Sequence, residues 1–151
     1  MTDARFEDAS EAPLNLGAVD GDDLVVVSSL VQDAVFTAGD IAWSPANGQF
    51  TLLLNRFRWE DGARKERVRA LLVFRNVRKI ASTGIDRTDK ETVLSVLSVE
   101  FEQNDAPAGF VTITLAGDGA LRLDVEAVEA TLKDVTKPYL APSGRTPAHP
   151  D

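Results

Sequence analysis

Twice in this chain a glycine-containing quartet separates two apolar runs, and that arrangement constrains the fold more than any other feature. Pro45-Ala46-Asn47-Gly48 lies between residues 41–44 and 49–59, and Ala116-Gly117-Asp118-Gly119 lies between residues 110–115 and 120–125. Asn-Gly and Asp-Gly steps supply the positive φ that a tight hairpin demands, so the flanking runs are predicted to return as antiparallel strands. In the second hairpin Leu121, Leu123 and Val125 are expected to face inward, with Arg122, Asp124 and Glu126 outward. Residues 68–77 form another apolar run, turned near Arg75-Asn76 before Ile80. Residues 84–91 read as a polar loop. Residues 92–102 alternate, with Val93, Leu97, Val99 and Phe101 expected on one side. Residues 128–135 fit either a further strand or a short closing helix.

One segment has the other period. Leu24, Val27, Leu30, Val31, Ala34 and Val35 recur at helical spacing, preceded by Asp20, Asp22 and Asp23 as capping and dipole-favoured acids. Short turns between strands exclude a doubly wound sheet. The predicted fold is therefore α+β: one N-terminal helix packed on a predominantly antiparallel, strongly curved sheet able to close toward a barrel. A chain of 151 residues suits one domain burying about two-thirds of its unfolded surface. Residues 1–13 are polar and acidic and are expected to be a disordered lead. Residues 138–151 contain Pro138, Pro142, Pro147 and Pro150 and are expected to be a flexible tail. The single globular domain then spans residues 14–137.

Charge is unevenly distributed. Nine of the sixteen lysines and arginines lie between Arg56 and Lys79, opposed by Glu60, Asp61 and Glu66, so that window is net +6 in a chain of net −8. Such asymmetry nominates a binding surface. On a strand, Leu54, Arg56 and Arg58 share one face, while Asn55, Phe57 and Trp59 share the other. The aromatic pair is expected to anchor the core and the two guanidiniums to project outward, about 7 Å apart at ~3.4 Å per residue. Arg67 and Arg69 have the same period on the next strand, so four arginines can converge if the strands pair. Guanidinium forks suit carboxylate or phosphate. The competing structural reading is a solvated face, or cross-strand pairing with Glu100, Asp124 and Glu126. A separate acidic set, Asp124, Glu126, Glu129 and Asp134, offers a complementary surface for homo-oligomer formation.

Several chemistries lack their residues. Zero cysteines exclude disulfides and thiolate chemistry. The sole histidine, His149, lies in the proline-rich tail, away from any packed environment that orients a catalytic base. No Gly-x-Ser-x-Gly elbow or phosphate-binding loop is present. No catalytic residues, metal site or cofactor are therefore assigned. No apolar run reaches the ~20 residues of a membrane span, and the start lacks a secretion signal, so a cytoplasmic location is expected. Nucleic acid is disfavoured by the net negative charge. The expected function is a non-catalytic interaction or regulatory module, with Arg56, Arg58, Arg67 and Arg69 binding an acidic protein surface or small anion. The alternatives are a small-molecule enzyme with an arginine-lined cleft and a single-stranded nucleic-acid binder.

The core Leu-Leu-Leu-Asn-Arg-Phe-Arg-Trp-Glu at residues 52–60 carries a family resemblance. With Leu-Val-Gln-Asp-Ala-Val at residues 30–35, Gly-Asp-Ile-Ala-Trp at residues 39–43, Pro-Ala-Gly at residues 107–109 and Gly-Ala-Leu-Arg-Leu at residues 119–123, it resembles the bacterial family catalogued as domain of unknown function 2948. The resemblance covers roughly residues 14–137. It implies no activity, cofactor or catalytic residue that can be carried over.

Overall fold

The computed structural model describes residues 13–59, 66–86, 88–136 and 139–140. The expected lead lies outside these residues apart from Pro13, as does most of the expected tail. Both predicted hairpins form. Strand β3 (Ile41–Ser44) turns through Pro45–Asn47 into β4 (Gln49–Phe57), with Gly48 at φ 60°. Strand β8 (Gly109–Leu115) turns into β9 (Ala120–Val125), with Gly117 at φ 84° and Asp118 at φ 69°. Leu121, Leu123 and Val125 are buried, as alternation requires.

The remaining strands are β1 (Asn15–Ala18), β2 (Val35–Thr37), β5 (Glu66–Phe74), β6 (Val77–Thr83), β7 (Val93–Gln103), β10 (Ala130–Asp134) and β11 (Tyr139–Leu140). Asn76, at φ 60°, makes the turn between β5 and β6. Residues 128–135, open between strand and helix in the sequence, contain β10, which lies between β1 and β5. Every pairing among the described residues is antiparallel, in the order β1-β10-β5-β4-β2-β7-β8-β9-β6, with β3 also on β4 and β11 on β5. Tyr139 and Leu140 pair with Arg67 and Glu66, so strand pairing extends into the segment expected to be tail. Among the described residues the sheet stays open: β1 and β6 are its two ends and do not pair with each other. The barrel-like curvature expected from the sequence is thus not formed, and the α+β, antiparallel part of the expectation holds.

Helix α1 (Gly21–Leu30) begins three residues before Leu24, where the helical period starts, and stops before Val35, where that period ends. Asp20 caps it by accepting from the Asp23 amide at 2.8 Å, and Asp23 accepts from the Val19 amide at 2.9 Å. At its far end Asp33 takes φ 63°, which right-handed helix cannot continue through, and its amide donates to the Val96 carbonyl at 2.8 Å. Val35, counted as helical by periodicity, instead pairs with Asn55 of β4 and Ser95 of β7. The valine-rich segment follows its strand preference once a sheet edge is available. The helix packs on β7, where Ser28 Oγ accepts from the Val99 amide at 2.9 Å.

That contact follows from a second departure. The register between β7 and β8 shifts between Val96 and Ser98, a β-bulge that changes which side chains face inward. Leu94 and Val96 are buried before it and Val99 after it, whereas Val93 and Leu97 are 68% and 47% exposed. The uniform alternation expected for Val93, Leu97, Val99 and Phe101 is broken there. The core joins both halves of the sheet: Phe50, Leu52, Leu54, Leu72, Phe74 and Leu132 pack in one cluster with Val96, Val111, Ile113, Leu115 and Leu123. Replacing Ser28 by Ala should strand the Val99 amide and lower stability by about 1–3 kcal/mol. Denaturant unfolding measures the loss, and hydrogen exchange at Val99 should accelerate more than at Ile113 and Leu121 in the β8–β9 ladder.

Candidate functional site

On β4 the side chains of Phe50, Leu52, Leu54 and Arg56 occupy one inward row, and all four are 0% exposed. The alternation read from the sequence is therefore correct and the face is inverted: Arg56 points into the protein. Its guanidinium is fully engaged. Nε donates to Asp134 Oδ1 and Nη2 to Asp134 Oδ2, each at 3.0 Å, and Nη1 donates to the Phe57 carbonyl at 3.0 Å. Asp134 is the last residue of β10, on the same inward row as Ala130 and Leu132. Its Oδ2 also accepts from the Leu14 amide at 2.9 Å, and its own amide donates to the Leu14 carbonyl at 2.9 Å. Between β4 and β10 lies β5, where Ala70 pairs with both Leu54 and Asp134. A side chain ending at Cβ there leaves the long guanidinium room to cross.

Arg58, 2% exposed, is likewise held: its Nη1 donates to Glu66 Oε1 at 2.7 Å and its amide to the Glu66 carbonyl at 3.0 Å. The structural partners of the two arginines are thus Asp134 and Glu66, not Glu100, Asp124 or Glu126. A bidentate, buried pair is strong only while both members are present, because a lone charge there has no water. The expected solvent-facing Arg56/Arg58 pair does not exist.

Arg67 and Arg69 go the other way. Strand pairing puts Arg67 opposite Phe57 and Arg69 opposite Asn55, while Arg56 faces Val68. Register partners share a face, so the four arginines divide two and two across the sheet and do not converge. Arg67 Cζ sits 4.1 Å from the Phe57 ring centroid, and Phe57 and Trp59 lie 5.9 Å apart at 43°. Trp59 Nε1 donates to the Gln32 carbonyl at 2.9 Å, tying this stack to the chain after α1. Arg69 is exposed, and its amide donates to Thr136 Oγ1 at 3.0 Å.

Sequence reasoning missed Lys133. It pairs with Leu71 and lies diagonal to Arg69 on the outward row, exposed. Its signal was the alternation Thr131-Lys133 against Ala130-Leu132-Asp134, legible only once residues 130–134 are known to be a strand. The outward rows now read Thr51, Leu53, Asn55, Phe57 on β4; Arg67, Arg69, Leu71, Val73 on β5; and Thr131, Lys133 on β10. They contain three cations and no carboxylate.

The expected acidic surface disperses. Asp134 is buried against Arg56, Asp124 pairs with Arg78 at 2.8 Å on the surface, and Glu129 accepts from Asn76 Nδ2 at 3.1 Å. Away from the arginines a groove of about 550 Å³ is lined by residues including Asp20, Gly21, Phe101, Pro107 and Val128. None of Arg56, Arg58, Arg67 and Arg69 lines it. No group of His, Cys, Asp and Glu suited to a metal ion occurs among the described residues, and no helix among them is long and apolar enough to cross a membrane. Among the described residues, Asp86 is the carboxyl shifted clearly downward, held low by the Thr88 hydroxyl and then the Thr88 amide in an exposed loop.

Among the described residues, an open antiparallel sheet with one α-helix defines an α+β protein. The chain belongs to the family of proteins of unknown function DUF2948, whose model matches residues 14–149. No curated protein and no solved structure matches it.

The two arginine populations should respond oppositely to substitution. Asp134→Ala strands a buried guanidinium and should cost about 3–5 kcal/mol. Arg69→Ala, at an exposed position, should stay within about 0.5 kcal/mol of wild type. Urea unfolding of the two variants measures both.

Proposed function

We propose that this protein is a non-catalytic interaction module whose outward β4–β5–β10 face binds an acidic protein surface or small anion through Arg69 and Lys133, with Arg67 beside them. One observation carries the reading: among the described residues the outward rows hold exposed Arg69 and Lys133 and no carboxylate, on a chain of net −8. Of the acids in this window, Glu66 lies on the other face, where it holds Arg58. Arg56 and Arg58 belong to the scaffold in this reading and Arg69 and Lys133 to recognition.

Individual exposed ion pairs are worth about 0.2–1 kcal/mol. Binding by such a face therefore needs several contacts at once and gains as much in association rate as in affinity. Polyanion specificity of the nucleic-acid kind is not favoured. Phe57 is buried with Arg67 stacked over it, so this ring is not an open platform for a base.

The test uses a polyglutamate peptide and amide chemical shifts. Shifts should concentrate at residues 67–73 and 131–133, and should fade as salt rises from about 0.01 to 0.15 M and the Debye length falls from ~30 to ~8 Å. Arg69→Glu/Lys133→Glu should lose the response with its fold intact. Shifts elsewhere, or unchanged in the double variant, contradict the proposal.

A further inference from the structure

We infer that this protein pairs with a second copy of itself along the free edge of β6, through Ile80 and Ser82 about a two-fold axis at Ala81. The inference uses neither Arg69 nor Lys133 and is independent of the reading above. Among the described residues β6 is one end of the sheet, with β9 on one side and no strand on the other. Backbone hydrogen bonds decide which of its groups face that open side. The Leu115 amide donates to the Gly119 carbonyl at 2.8 Å. Thr114 and Ala120 are therefore a pair without mutual hydrogen bonds, and Ala120 turns its N–H and C=O toward β6. Alternation along the register then commits Thr83, Ala81 and Lys79 to β9 and directs the N–H and C=O of Ile80 and Ser82 away from it. The far end agrees: the Glu126 amide donates to the Asn76 carbonyl, and Val77, turned away from β9, donates to the Gly48 carbonyl, each at 2.9 Å.

An open edge is a template for another strand, and charges, bulges and proline are the usual guards against pairing. In β6 the guards sit at one end. Arg78, Lys79 and the register shift after Val77 lie at its start, where Gly48 also occupies the Val77 amide. Residues 80–83 carry no charge and no proline, and Gly84, at φ 68°, ends the strand. A second copy running antiparallel, with buried rows on the same side, pairs residues of like parity. An axis at Ile80 would set Ser82 against Arg78 in the bulge, and one at Ser82 would set Ile80 against Gly84 beyond the strand. An axis at Ala81 sets Ile80 against Ser82 of the second copy and Ser82 against its Ile80, so every open N–H and C=O of these residues gains a partner. The two Ala81 residues then meet as a close pair, Cα atoms about 4.5 Å apart, where methyl groups fit. Lys79 faces Thr83, so no like charges oppose each other. Pairing consumes both edges, and the assembly closes at a dimer.

Sedimentation of the intact chain over about 0.01–1 mM measures the association; a contact this small predicts a dissociation constant of about 0.1–1 mM. Because each copy is net −8, the dimer should tighten as salt rises, opposite to binding of an anion at Arg69 and Lys133. Hydrogen exchange reads the parity. Between the dilute and concentrated limits the Ile80 and Ser82 amides should slow at least about twofold, and those of Lys79, Ala81 and Thr83, already bonded to β9, should not change. Ala81→Arg places two charges at the axis and should abolish the association. Ser82→Pro removes a donor that β9 does not use and should weaken it with the fold intact. Arg69→Glu/Lys133→Glu should leave it unchanged. A chain that stays monomeric at about 1 mM, or a dimer that survives Ala81→Arg, overturns the inference. Slow exchange of Ile80 and Ser82 in a monomer at every concentration also overturns it, in favour of a segment of the same chain on that edge.

Discussion

The buried pair of Arg56 and Asp134 is the constraint on which the rest of this sheet depends. It joins residues 78 positions apart in sequence, spans β5 between them, and through Leu14 fixes where the N-terminal strand begins. Every nitrogen of the guanidinium has an acceptor, which is the condition for tolerating such a group inside a protein. It also specifies register. Shifting β10 by one residue against β5 would bring Lys133 to the inward row beside Arg56 and send Asp134 to solvent. Two unpaired cations would then share a dry site. Apolar packing alone distinguishes such registers weakly when the row is as short as Ala130, Leu132 and one more residue; a charge at its end separates them sharply.

The same parity divides one basic window of sequence between two faces of the sheet. Arg56 and Arg58 lie on the inward side and are matched to Asp134 and Glu66, whereas Arg67 and Arg69 fall on the outward side because they pair with Phe57 and Asn55. The register between β4 and β5 sets this division, since the pairing of Phe57 with Arg67 decides which arginines share a face. The buried pairs and the face proposed for recognition thus lie on opposite sides of one sheet. The internal pairs keep Asp134 and Glu66 away from the outward face.

Much of the architecture was legible in the residues. Asn47-Gly48 and Gly117-Asp118-Gly119 announced their hairpins because positive φ is a local demand with few solutions. Asp20 announced the start of α1 for a similar reason. The errors came where a distant strand decides. Val35 follows a helical period but joins β2, since Asp33 turns out of the helix and an edge of β4 and β7 awaits. The bulge after Val96 reverses inward and outward in β7, and alternation alone carries no sign of it. For Arg56 and Arg58, period 2 gave two faces without saying which was the core, and the aromatic rings of Phe57 and Trp59 suggested the wrong one. The deciding residue, Asp134, is in a segment whose helix or strand character was itself open.

The most direct measurement of the central claim is solvent exchange of the arginine Nε–H protons by NMR. Arg56 Nε–H, sealed against Asp134, should exchange on the timescale of the core amides of β4 and β5, requiring the sheet to open. Arg69 Nε–H, in water, should exchange orders of magnitude faster. Comparable, fast exchange at both would mean that Arg56 is not enclosed, and the division of the arginines between a buried, paired side and an outward side would be wrong.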